Sequence, residues 1–188
     1  MLNKNSLFTA LLIFTIVFTS CTDDKKFAIS KENVGKVNAK TTVTDLYKIF
    51  EKDSIIKNLS EGSLGSNFFQ DNDEYLIYEK GGKHLLTIVP KEQLDSTSTI
   101  KNIEIFDSRF KTESGISLAS TFSEIRANIK VDKIESSLKS ATLFINELNA
   151  TFVIANEEMG LKDFSKQKVV EEQIPDLAKM KSFVVWFN

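Results

Sequence analysis

One cysteine and one histidine are all that 188 residues contain. A single Cys excludes an intramolecular disulfide and a Cys-rich metal site, and a single His excludes any centre that needs two imidazoles. With only 2 Pro and 7 Gly, the chain is not a Pro/Gly-rich low-complexity segment. Charge of one sign is also missing: 24 Lys+Arg stand against 26 Asp+Glu, for a net charge of −2. A nucleic-acid partner is therefore not expected, because the electrostatic term that drives such binding is absent. What the chain does have is apolar bulk, 41% hydrophobic residues with 15 Phe, which is enough for a folded core rather than a disordered chain.

The apolar residues are concentrated first at the N-terminus. Lys4 precedes an apolar stretch over residues 7–18, shorter than the roughly 20 residues a membrane span requires, and this reads as the core of a signal peptide. Phe18, Thr19 and Ser20 then lead directly into Cys21. These residues resemble a bacterial lipobox, with Phe18 standing where Leu is usual. The resemblance implies cleavage after residue 20 and acylation of Cys21; the alternative is an ordinary secretory signal with an incidental Cys. Two or more acyl chains make a durable anchor where one does not. Asp23 and Asp24 follow the Cys, in a pattern that resembles the surface-export signal of Bacteroidetes lipoproteins; the same residues also serve as a solvated tether. The expectation is a signal peptide over 1–20, a lipidated tether over 21–26 and an outer-membrane, lipid-anchored protein, open to exposure at the cell surface.

Past the tether the chain reads as one unit used twice. Thr42, Val43, Asp45, Leu46 and Phe50 are matched in class and order by Thr121, Phe122, Glu124, Ile125 and Ile129, about 80 residues later. Residues 100–106 are matched at the same spacing by 180–186. The expected units are 27–107 and 108–188. Each has a hydroxyl N-cap (Thr41 or Thr42; Ser120 or Thr121) before an amphipathic helix, with an acidic residue in its first turn. A hairpin is predicted from strands 75–78 and 85–89 around Gly81-Gly82, and another from 142–145 and 151–154 around 147–149. Residues 100–106 and 180–187 supply a third strand each. Residues 61–73 read as a loop, and 157–179 as a partly helical insertion ended near Pro175.

The fold class is therefore α+β: two tandem repeats of helix, antiparallel hairpin and strand, forming one antiparallel-sheet domain with helices packed on it. This element order, with matches such as residues 41–50, resembles the tandem-repeat fold of the β-lactamase inhibitor protein and of the SmpA/BamE-like assembly lipoproteins. The resemblance implies a binding protein and transfers no functional residue.

Chemistry is sparse. His84, beside Lys80 and Lys83, has no serine elbow with G-x-S-x-G spacing near it and reads as a strand residue. Asp71-Asn72-Asp73-Glu74 offers oxygen ligands without the spacing of a calcium loop. Glu157-Glu158 and Glu171-Glu172 are adjacent pairs whose side chains diverge, so neither flanks one bond. No catalytic residue, metal or cofactor is assigned. Trp186 and Phe187 are candidate partner contacts, one of them in the core and the other exposed. Ser54 and Ser96, each after an Asp, resemble short O-glycosylation acceptors of Bacteroidetes envelope proteins. The expected function is a non-catalytic binding or assembly module for an envelope or extracellular protein. An antagonist of an enzyme or toxin is the alternative, and a carboxylate-based hydrolase has the least support.

Overall fold

The structure is a computed structural model that describes residues 24–60, 72–162 and 167–188. The lipobox, Cys21, Asp71 and most of the 61–73 loop lie outside the described residues. In chain order the elements are β1 (Ala28–Ser30), β2 (Asn33–Val34), β3 (Val37–Asn38), α1 (Val43–Ile49), β4 (Ser54–Asn58), β5 (Glu74–Tyr78), β6 (His84–Pro90), β7 (Ile100–Ile105), β8 (Lys111–Thr112), α2 (Phe122–Asn128), β9 (Lys133–Ser136), β10 (Ser140–Ile145), β11 (Ala150–Ala155) and β12 (Ser182–Trp186).

Both helices start on the predicted chemistry. Thr42 caps α1 and Thr121 caps α2; each hydroxyl accepts from the backbone N–H three residues on, while Asp45 and Glu124 accept from the cap residue's own N–H at 2.9 and 2.8 Å. These reciprocal bonds satisfy donors that a helix start leaves orphaned. The two helices are also tied down alike. Val43 N–H donates to Ser98 O and Thr44 N–H to Ser96 O; Phe122 N–H donates to Ala178 O and Ser123 N–H to Asp176 O.

Eight strands form one antiparallel sheet in the order β4-β5-β6-β7-β12-β11-β10-β9. Two four-stranded meanders thus meet at β7 and β12, where Glu104, Ile103 and Asn102 oppose Val184, Val185 and Trp186. A smaller sheet, β3-β2-β1-β8, has a parallel β1–β8 pair. Gly81 and Gly82 have φ of 113° and 92°, the positive values that the β5–β6 turn needs. Gly35 is required by space as well, since a Cβ there would sit 2.5 Å from the Lys26 carbonyl oxygen.

The sequence pattern did not reveal the outer strands β4 and β9 or the small sheet. The 157–179 insertion contains two short 3-10 turns (Asn156–Met159 and Glu171–Gln173) and no α-helix among its described residues. It still contributes to packing, since Met159, Val169, Ile174 and Ala178 are buried in the core.

That core is continuous across both meanders. One face of the sheet gives it Ile77, Leu86, Ile88, Ile103, Ile105, Phe183, Val185, Phe152, Ile154 and Leu143, and the helices give Val43, Leu46, Phe122 and Ile125. Phe152 and Phe183 meet edge to face at 4.5 Å, a preferred aromatic geometry. No helix among the described residues is long and apolar enough to cross a membrane.

Because Phe183 is buried beside the central pair, Phe183→Ala is expected to cost about 3–5 kcal/mol. Urea unfolding of the variant should remain a single transition at a lower midpoint, monitored by circular dichroism and Trp186 fluorescence. Separate transitions for the two signals would show that the meanders do not share a core.

Candidate functional site

The face opposite the core is the candidate site. Strand pairing aligns one residue from each of the eight strands across it: Ile56, Leu76, Thr87, Glu104, Val184, Thr151, Phe144 and Lys133. Seven inter-strand steps of about 4.8 Å give this row a length of about 34 Å. A neighbouring row carries Val89, Asn102 and Trp186. Side chains along β5, β7 and β10 alternate between buried and half-buried or exposed, as expected for a sheet with one covered face. Ile56 is 52% exposed and Trp186 36%.

The structure separates the two aromatic candidates at the C-terminus. Phe187 is only 4% exposed and belongs to the core. Trp186 lies on the open face, where its indole N–H donates to Thr151 Oγ1 at 3.1 Å. That bond fixes the ring and leaves part of its surface to solvent. Of the pair, only Trp186 is exposed.

A second aromatic group was not foreseen. A bulge in the β5–β6 pairing between Ile77 and Tyr78 puts His84 opposite Tyr78, while Leu85 and Leu86 are both buried. The imidazole is stacked between Tyr78 (4.6 Å, 19°) and Phe106 (4.0 Å, 20°). Its Nε2 lies 3.1 Å from the Leu86 carbonyl and 3.2 Å from Thr87 Oγ1. A carbonyl only accepts, so Nε2 carries the proton in that bond. Burial lowers the His84 pKa from 6.5, against the opposing effects of the Leu86 carbonyl and Glu104. His84 is thereby packed as a neutral ring between two aromatic faces, with its Nε2 engaged.

The hairpin tip carries charge that is already committed. Asp107, with a fully buried side chain, accepts from Arg109 N–H and Nε (both 2.9 Å) and Nη2 (2.6 Å), and Lys83 Nζ lies 3.0 Å away. Arg109 also donates to both Glu79 oxygens at 3.0 and 2.9 Å and sits 4.5 Å over the Phe27 ring. Burial pushes the Asp107 pKa up, but the hydrogen bonds from Arg109 and Lys83 outweigh it and bring it to about 2. This cluster clamps the β5–β6 turn to the segment between the meanders. Lys83 is therefore already paired; Lys80 is exposed at the turn.

The remaining sequence candidates are dispersed. Asp73 is buried and accepts from Ser60 N–H and Oγ (both 2.9 Å) and Leu94 N–H (2.7 Å). Burial raises its pKa, and those bonds outweigh it to give a net lowering; its oxygens hold two loops together. No group of three or more potential metal ligands occurs among the described residues. Glu158 accepts from Lys179 N–H. Ser54 is exposed at the start of edge strand β4, and Ser96 is exposed beside α1 with its carbonyl accepting from Thr44.

Two pH effects follow. Because the folded pKa of His84 lies below its unfolded 6.5, its contribution is full above that value and is lost as pH falls below it. The Asp107 contribution is present above the unfolded 3.8 and is lost as pH falls towards about 2. In thermal melts against pH, His84→Phe should flatten the decline that begins below 6.5. Asp107→Asn should lower stability at neutral pH by about 2 kcal/mol and weaken the acid-induced fall. An unchanged profile for His84→Phe would contradict its neutral packing.

No protein-family model matches the chain, and no curated protein matches it in sequence. Among solved structures it is similar to the uncharacterized protein yfeY from Escherichia coli, with a TM-score of 0.52 at 12% sequence identity, over 86% of this chain and 99% of that one. The likeness shows a shared fold.

Proposed function

We propose that the chain is an outer-membrane lipoprotein, anchored through Cys21, that acts without catalysis as a binding or assembly module for an envelope or extracellular protein. One observation carries this reading: the face opposite the core runs across all eight strands and sets the exposed Ile56 and Trp186 among half-buried apolar side chains. Ile56, Leu76, Val184 and Phe144 supply apolar area, Trp186 an aromatic anchor, and Thr142 and Glu104 polar groups. An aromatic anchor within a mixed surface of this extent suits protein recognition. The resemblance to the β-lactamase inhibitor protein in element order adds an antagonist of an enzyme as the second identity such a partner could have.

The test uses photo-cross-linking residues placed singly at Ile56, Val184 and Trp186, and as controls at the exposed Leu138 and Val170. The three face positions should yield one common adduct that the controls do not, and mass spectrometry of that adduct separates an assembly partner from an inhibited enzyme. Adducts equally strong from the controls, or none from the face, would overturn the reading. Trp186→Ala should weaken the measured affinity at least tenfold at a stability cost of about 1 kcal/mol. Phe187→Ala should instead cost about 3 kcal/mol in stability. Separately, Cys21→Ala should abolish lipid labelling and release the protein from membranes; unchanged membrane retention would refute the anchor.

A further inference from the structure

The anchor, if present, places one end of the domain against lipid. Cys21 precedes Asp24, the first described residue, by three residues, at most about 11 Å of extended chain. Whatever surface surrounds the start of the domain is therefore held close to the bilayer.

That surface is rich in lysine. Lys26 and Lys36 line a narrow cleft of about 40 Å³ with Ile49, Phe50 and Asp53. Lys36, Lys40 and Lys48 line the adjoining open cleft, which shares Ile49 with the first. The positioning comes from the local fold. The tight approach of Gly35 to the Lys26 carbonyl packs the entering chain against the β2–β3 turn, and Lys40 and Lys48 flank the capped start and the end of α1. All four lysines are exposed, and none has a carboxylate within salt-bridge distance among the described residues. Lys130 and Lys133, on the second meander, are by contrast paired with Asp132 and Glu135.

The acidic groups facing this strip are Asp45 and Asp53, which line the same two clefts, and Glu79, whose charge acts on Lys26. The Asp45 carboxylate is already engaged by the Thr42 N–H and hydroxyl at 2.9 and 2.7 Å. Four ammonium groups without a salt bridge thus outnumber three carboxylates, two of them already engaged, Asp45 by Thr42 and Glu79 by Arg109.

We propose that the Lys26–Lys36–Lys40–Lys48 strip is a docking surface for an anionic lipid bilayer, which orients the tethered domain. The proposal rests on the lipid-anchor reading above. Each lysine brought to an anionic surface strengthens the contact about fivefold, and the effect fades within a Debye length. The anchor supplies retention, and the lysines supply orientation.

The full lipidated chain would be reconstituted in phosphatidylcholine vesicles with or without about one-third phosphatidylglycerol, and lysine acetylation rates read by mass spectrometry. Lys26, Lys36, Lys40 and Lys48 should react several-fold more slowly on the anionic vesicles, and about 0.5 M salt should remove the difference. Lys133 should react at one rate on both. In a K36E/K40E/K48E variant with an unchanged melting temperature, the protection of Lys26 should disappear. Equal rates on both vesicles, with acylated Cys21 confirmed by mass, would overturn the docking surface and leave the anchor standing. Absence of acyl mass on Cys21, with failure to co-sediment with either vesicle, would overturn the anchor and the docking together.

Discussion

The antiparallel pairing of β7 with β12 joins two meanders that each expose an apolar face, and it places those faces side by side under the same helices. Ile103 opposite Val185, both fully buried, is the centre of this contact. Four strands and a two-turn helix bury little by themselves, and small domains are marginal for that reason. Joined, the two meanders close a single core across the seam, with Phe152 packed on Phe183 beside it. The same pairing leaves the other face of all eight strands as one unbroken surface. Stability and the breadth of the candidate site thus have a common origin.

Much of this was legible in sequence wherever the signal was local. Thr42 with Asp45 and Thr121 with Glu124 read as capping boxes because the partners lie three residues apart, and Gly81-Gly82 read as a turn because only glycine takes positive φ freely. The strands of the two hairpins carried alternation or β-branched runs. The edge strands did not: Ser54–Asn58 has adjacent isoleucines, and Lys133–Ser136 contains one apolar residue. An edge strand is paired on one side only and needs little apolar character. The parallel β1–β8 pair joins Ile29 to Thr112 across most of one meander, a long-range choice that no local pattern encodes.

The site followed the same division. That one of Trp186 and Phe187 would be core and the other exposed came from strand alternation, but only the register with Asn102 and Thr151 assigns them. His84 was legible as a strand residue. Its stacking on Tyr78 and Phe106 depends on a bulge that turns it to the open face while Leu85 goes inward, and a bulge is set by what packs beneath it rather than by the residues in it. The acidic run containing Asp73 shows the converse error that composition invites. The Asp73 oxygens are spent on Ser60 and Leu94 once the chain folds.

The composition of the open face also limits what can bind there. An apolar sheet surface of eight strands would be an aggregation hazard. Here the row across the sheet mixes apolar residues (Ile56, Leu76, Val184 and Phe144) with polar and charged ones (Thr87, Glu104, Thr151 and Lys133). Glu104 accepts from Ser182 Oγ at 2.6 Å, and Thr151 accepts from the Trp186 indole. Thr87 and Thr151 are buried with their hydroxyls engaged by His84 and Trp186, so the polar groups are largely satisfied within the sheet. Covering the half-buried Glu104 carboxylate without supplying a donor would be costly. The polar and charged positions thus interrupt what would otherwise be a continuous apolar surface, and the sheet keeps its open face without that hazard.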